Sequence, residues 1–233
     1  MHLRTRRQAV ARAARSGDTP TRTGHRSCHR GPRRERSTGL IVLLSSGHAL
    51  ARLRSGELSC PDCGASVVPW GFARRRVVRT LGGPRAVVPR RARCSSCKKT
   101  HVVFPGEVVP RRRDDAGVIG HALFRAATGA RAGEIARELS RSRETVRNWI
   151  SRLTDNALVA EVIGTRTLVT FDAHVDPMRL VWRSTPLASA IEALGLAIAA
   201  VVRLLGPLTP GATPWSVANV VTHGQLLSAD LGP

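Results

Sequence analysis

The chain contains no tyrosine and only four phenylalanines in 233 residues. Large rings supply the biggest buried areas of most cores, so a core of stacked aromatics is excluded and aliphatic side chains must fill it. Acidic residues are few: 16 against 37 lysines and arginines, for a net charge of +21 and a pI near 11.8. This balance points to a polyanionic partner, nucleic acid more often than an anionic membrane surface. Lysine is nearly absent, since 35 of the 37 cations are arginine. A GC-rich coding sequence produces that bias as readily as selection does, so a share of these arginines is idle surface. No long apolar run exists either. Leu40 to Leu44 is five residues, and Ala188 to Leu205 is interrupted by Ser189, Glu192 and Arg203, whereas a helical span needs about 20 apolar residues. The first residues lack the apolar stretch of a secretory signal. The expectation is a cytoplasmic, nucleoid-associated protein with no membrane partner and no small-molecule substrate.

The charge is uneven. Residues 1–39 carry net +9, residues 40–113 net +12, residues 114–155 net +1 and residues 156–233 net −1. The first segment is rich in Arg, Gly, Ser and Thr without sustained periodicity and reads as a disordered basic leader. The apolar start at Leu40 looks like a protein's true beginning, so Met1 is a candidate for a start codon placed too early. His25, Cys28 and His29 fall close together there, but a solvated tail is expected rather than a second metal site.

Four of the five cysteines form two pairs, Cys60-Pro-Asp-Cys63-Gly64 and Cys94-Ser-Ser-Cys97-Lys98, with thirty residues between them. Two such knuckles around a strand-rich insert present four thiolates to one tetrahedral metal, the pattern of a zinc ribbon, although the insert is longer than the common spacing. Paired thiols without further cysteines suit a reducing compartment. Four protein ligands leave no position for water, so one structural Zn2+ and no catalytic residue is the expectation. Gly64 can take the positive φ of a tight knuckle; Lys98 in the matching place predicts a strained or rearranged second turn. His101 is the alternative to one of the thiolates.

Around the knuckles, the pattern predicts a buried strand at Leu40–Leu44, a short amphipathic helix from His48 to Leu58, and strands over 67–72, 74–79, 86–93 and 100–104, with a turn at Gly82-Gly83-Pro84. Alternate residues of a strand share a face, so Arg74 goes with Arg76 and Arg91 with Arg93. These four, with Lys98 and Lys99, are the expected phosphate contacts; a merely solvated face is the alternative. Trp70 and Phe72 are expected in the ribbon core, with stacking on bases the rarer role.

Asp114 or Asp115 can cap a helix through Val118, Ile119, Ala122, Leu123 and Ala126 that Gly129 ends. A second helix spans 132–139, and Ser142 caps a third that runs to about Leu153. Ile135, Ala136 and Leu139 face inward on the second, and Val146, Trp149, Ile150 and Leu153 on the third. The segment reads as a helix-turn-helix. The outward residues Arg143, Glu144, Arg147, Asn148 and Ser151 are the expected base contacts, with Arg152 on phosphate; arginine can grip guanine and asparagine adenine from the N-terminal part of a helix in the major groove. Ser140 stands where glycine is usual in the turn, and Arg141 where an apolar residue is usual. A purely structural three-helix bundle is the alternative.

From residue 156 the chain is neutral and aliphatic. A strand is expected at Leu168–Phe171 and helices at Ser189–Leu205 and Pro214–Leu227, with repeated breakers from Gly206 to Gly211. Asp172 and Asp176 flank His174, which reads as a loop after the strand rather than a metal site. The expected class is α+β in four segments: leader 1–39, zinc ribbon with a preceding strand and helix 40–113, helix-turn-helix 114–155 and a small mainly helical domain 156–233, whose helices could pair two copies into a homodimer.

Residues 60–153 resemble the N-terminal zinc-ribbon and helix-turn-helix region of bacterial insertion-sequence transposases, on the Cys60-Pro-Asp-Cys63-Gly64 knuckle, the arginine-rich strand into Cys94 and Cys97, and the Ile135-Ala-Arg-Glu-Leu139 and Thr145-Val-Arg-Asn-Trp149 helices. Residues 40–227 look still more like a family of short bacterial proteins of unknown function that keeps this pair and adds a helical tail of the Pro214-Trp215 type. The resemblance implies duplex-DNA binding and structural zinc, without chemistry of its own. An active transposase also needs a nuclease domain with three spaced carboxylates, for which the 78 residues after 155 are too few. The expected function is that of a DNA-binding regulator or accessory factor derived from a transposase. A split or degraded transposase, and a ribbon that binds RNA or the transcription machinery, are the alternatives.

Overall fold

The computed structural model describes residues 40–172, 174, 183–206, 208 and 212–229. His25, Cys28, His29 and Asp176, and the expected leader, lie outside them. In chain order the elements are β1 (Leu40–Leu43), α1 (Ser46–Arg54), β2 (Val67–Phe72), β3 (Arg76–Thr80), β4 (Gly83–Val87), β5 (Arg90–Cys94), β6 (Thr100–Pro105), α2 (Ala116–Ala127), α3 (Ala132–Glu138), α4 (Arg143–Asp155), α5 (Ala157–Phe171), α6 (Pro186–Leu205) and α7 (Pro214–Val221). The class is mixed α+β.

β1, β6, β5 and β2 form one sheet in that order, with β1 parallel to β6 and the other pairs antiparallel. β1 is apolar throughout because both of its faces are covered. Ile41 and Leu43 join α1 residues Ala49 and Leu53 on one side, and Leu40 and Val42 meet Val78 and Val87 of the β3–β4 hairpin on the other. The single strand expected over 86–93 is two strands. Pro89 has no N–H for the ladder, so the chain leaves the hairpin after Val87 and re-enters the main sheet at Arg90.

The helices of residues 116–155 share their core with those that follow. Ile119, Leu123, Ile135, Val146, Trp149 and Leu153 pack with Ala160 of α5 and Leu194 of α6, so the packing is continuous across residue 155. The strand expected at Leu168–Phe171 is the last turn of α5. Of these four residues only Leu168 is buried; they prolong a helix whose packing overrides their β preference from upstream, at Gly164, which sits so close to α6 that an added Cβ would lie 2.7 Å from the Ala193 carbonyl carbon. α7 stops at Val221, earlier than expected, because His223 and Gly224 take positive φ and turn Leu226 and Leu227 back into the core. α6 is long and apolar enough to cross a bilayer, but 56% of that stretch is buried inside the protein, which accounts for its composition as a core helix.

Two polar joints fix the sheet to the helices. Asp114, buried, accepts from Arg79 Nη2 of β3 and from Arg141 Nε in the α3–α4 turn, both at 2.5 Å. Backbone bonds run alongside it, from Arg79 N to Arg113 O and from Asp115 N to Arg79 O. Asn219 of α7, also buried, donates to the carbonyls of Gly106 and Val108, and Trp215 lies flat against Gly120 of α2, with no room for a Cβ. Removing one member of a buried ion pair strands the other charges. Asp114→Ala is therefore expected to cost about 3 kcal/mol, read as a lowered urea midpoint, whereas Arg52→Ala, which removes the exposed Arg52–Glu57 pair, should shift it by under about 1 kcal/mol.

Candidate metal centre and cationic faces

The first knuckle is closed by Gly64 N donating to Cys60 O at 2.9 Å and Cys60 N donating to Ala65 O at 2.7 Å. The second is closed by Cys94 N donating to Lys99 O at 2.9 Å, while Ser96 N points at Cys94 Sγ from 3.4 Å. Val67 opposite Cys94 in the β2–β5 register brings the two knuckles together. Cys60 Sγ lies 3.7 Å from Cys97 Sγ, Cys63 Sγ lies 3.4 Å from Cys94 Sγ, and all four sulfurs are within 4.8 Å of one another. Zinc–sulfur bonds of about 2.3 Å at tetrahedral angles put sulfurs about 3.8 Å apart. The cluster could therefore hold a metal ion such as zinc.

The four thiols do not ionise independently. Burial raises the Cys94 thiol, but the backbone N–H groups of Ser96 and Cys97 and the neighbouring thiols of Cys63 and Cys97 bring it down to about 6. At Cys97 the Lys99 backbone lowers the thiol, yet burial and the three other sulfurs push it up to about 12. Once one sulfur is ionised, its neighbours resist ionisation unless a cation is shared. His101 is buried with Nε2 at 3.2 Å from Cys60 Sγ, and with Asp62 and Cys60 it forms a second group of metal-compatible atoms. The four sulfurs converge without it.

The second knuckle takes the conformation that its missing glycine implies. Lys98 has φ +60°, against +76° for Gly64, and its Nζ bonds the Ser95 carbonyl. Ser140 repeats this in the α3–α4 turn with φ +53°. Arg141, placed where an apolar residue was expected, holds the Asp114 carboxylate. Asp115, and not Asp114, caps α2, with Oδ1 accepting from Val118 N at 2.8 Å. Burial raises the Asp115 carboxyl, against the pull of the Val118 N–H.

The expected nucleic-acid contacts fall into two groups. On α4, Arg143, Glu144, Arg147, Asn148 and Ser151 are exposed and Arg152 is half-buried, while Val146, Trp149 and Leu153 are buried. Ser151 donates to Asp155. The strand expected over 74–79 begins only at Arg76, so Arg74 lies in the β2–β3 connection and does not share a strand face with Arg76; Arg74, Arg76 on β3 and Arg91 on β5 are exposed, Arg93 is half-buried, and Arg76 lies over the Phe104 ring. Lys98 and Lys99 are exposed, with Lys99 paired to Asp62. Trp70 and Phe72 are not core residues. They are 53% and 60% exposed: Trp70 projects from a part of the sheet face that the hairpin does not cover, and Phe72 lies beyond the bulge at the end of β2, whereas Val67 of the same strand is buried under α1. A core periodicity cannot be told from an exposed edge without the pairing partner. Asp172, with its neighbour His174, ends a helix rather than a strand, and it pairs with Arg203.

Fold and site define a mixed α+β protein whose four cysteines form one cluster able to hold a metal ion, set beside exposed arginine-rich faces. Residues 60–149 match the family model described as a domain of unknown function (DUF6431). That stretch takes in both cysteine pairs, α2, α3 and the first half of α4. No curated protein and no solved structure matches the chain.

A non-glycine residue in the left-handed region pays about 1 kcal/mol relative to glycine. Lys98→Gly and Ser140→Gly are each expected to exceed the matching alanine variant in stability by about that much, measured by urea unfolding at fixed metal concentration.

Proposed function

We propose that the chain is a sequence-specific duplex-DNA-binding protein that acts by binding rather than catalysis. In this reading residues 60–105 are a zinc ribbon and α2–α4 a helix-turn-helix. The observation that carries it is α4: its whole outward face, Arg143, Glu144, Arg147, Asn148 and Ser151, is exposed, while Val146, Trp149 and Leu153 anchor the opposite face in the core. A helix seated on one side and bearing Arg and Asn on the other suits the major groove. The net +12 of residues 40–113 supplies phosphate affinity beside it. The transposase-derived role, as regulator or accessory factor close to the nucleoid, rests on the resemblance of residues 60–153.

Zinc serves here as a structural ion: the thiolates of Cys60, Cys63, Cys94 and Cys97 would hold it, and its binding free energy would contribute to folding. Reduced protein is expected to carry one zinc per chain, and Cys94→Ser to lose most of it and expose residues 60–105 to hydrogen exchange. Metal content near zero in fully reduced protein removes the ribbon.

The division of labour on DNA is testable by affinities for a selected and a random duplex at several salt concentrations. Arg147→Ala or Asn148→Ala is expected to cost about 1–3 kcal/mol on the selected duplex and little on the random one. Alanine at Arg74, Arg76, Arg91 or Arg93 should weaken both alike and reduce the salt slope by about one unit. If only the sheet variants change sequence preference, α4 is not the reading element.

A further inference from the structure

The strand register divides the four-stranded sheet into two faces. One carries Leu43, Val67, Ala92, Cys94 and Val103 toward α1 and the sulfur cluster. The other carries Leu40, Val42, Val102 and Phe104 beneath the β3–β4 hairpin. The hairpin covers only that half. On the same face, Arg93 stands opposite Val68 and Arg91 opposite Val102, and the β5–β2 half they occupy is open. Val68 is 45% exposed and Arg91 is exposed.

Trp70 belongs to this open half. The Arg93 guanidinium lies 4.5 Å from its ring centroid, held there as Nε donates to Lys98 O at 3.3 Å. One ring face is thus backed by a cation, while over half of the residue remains in solvent. Phe72, beyond the bulge of β2, is stacked by Arg90 at 5.0 Å, but Arg90 stands opposite Val103, so this pair belongs to the other side of the sheet. Trp70 is the most exposed tryptophan among the described residues. Pro69 and the bulge blunt β2 against pairing with another strand, so the edge itself is not the binding feature.

We propose that this open half-face binds single-stranded DNA, with Trp70 stacking on an unpaired base, Arg91 and Arg93 of the same face on the flanking phosphates, and the exposed Arg74 and Arg75 of the β2–β3 connection following the strand beyond it. Duplex bases have their π-faces covered by their neighbours, whereas an unpaired strand alternates a free π-face with a negative charge. A ring set among guanidinium groups matches that alternation. The inference rests on the reading of the sheet as a DNA-contacting surface, but not on α4.

The test is fluorescence anisotropy of the full, zinc-loaded chain with labelled dT12, an abasic strand of equal phosphate count, U12 and a random duplex. The dT12 strand is expected to bind at least about tenfold tighter than the abasic strand. Trp70→Ala should weaken dT12 binding about 5- to 150-fold and leave abasic and duplex binding unchanged, and Trp70→Phe should restore most of the loss. Equal binding of dT12 and the abasic strand, or an equal loss on both in Trp70→Ala, overturns the proposal. Tighter binding of U12 than dT12 overturns its assignment to DNA. Duplex binding without a preference for dT12 over the abasic strand defeats the stacking site alone; failure of every DNA defeats the proposed function as well.

Discussion

Asp114 joins the two halves of the molecule. Its carboxylate is buried between Arg79, on the hairpin that covers the sheet, and Arg141, in the turn between α3 and α4. A buried charge is tolerated only when paired and hydrogen-bonded, and this geometry satisfies both carboxylate oxygens. The next residue, Asp115, starts α2. One dipeptide therefore sets the direction of the first helix, seats the α3–α4 turn and ties both to β3. The orientation of α4 relative to the arginine-rich sheet follows from that joint, because Arg141 immediately precedes the Ser142 cap of α4.

The sheet half has little apolar material of its own. Its core under α1 is a small aliphatic group in which Cys60 and Cys94 are themselves buried members. A core of that size needs a staple, and a metal shared by four sulfurs would supply one between strands distant in sequence. The same poverty of large side chains explains why glycines matter in the helical half. Gly120 lets the Trp215 indole lie on α2, and Gly164 lets α5 approach the α6 backbone. Close approach replaces bulk where aromatic residues are few.

The C-terminal helices are part of this framework. α7 returns to the connection between β6 and α2, where Asn219 bonds the Gly106 and Val108 carbonyls, and α6 lies in the core next to the segment that carries α4. The proposed reading surfaces are thus presented by one packed body, in which the core is mostly aliphatic and Arg141 turns inward only where the buried Asp114 carboxylate pairs with it.

The local features were legible in the sequence because local chemistry controls them. Two Cys-x-x-Cys knuckles bring sulfurs together by turn geometry, Ser142 caps α4 through its own side chain, and a 3.6-residue spacing divides α4 into buried and exposed faces. The unsuited residues Lys98 and Ser140 were visible for the same reason, since a left-handed turn position is defined by its neighbours. What only the tertiary structure decided depends on partners distant in the chain. Pro89 split one apparent strand because two different sheets compete for it. Leu168–Phe171 became helix because it prolongs α5, which packs along α6 upstream at Ala160, Ile163 and Gly164. Trp70 and Phe72 became exposed because no element covers the end of β2 that carries them, although Val67 at its start is buried. Arg141 became a joint because Asp114, 27 residues away, is buried beside it. Periodicity specifies which side of an element is apolar, but only the fold specifies what, if anything, covers it.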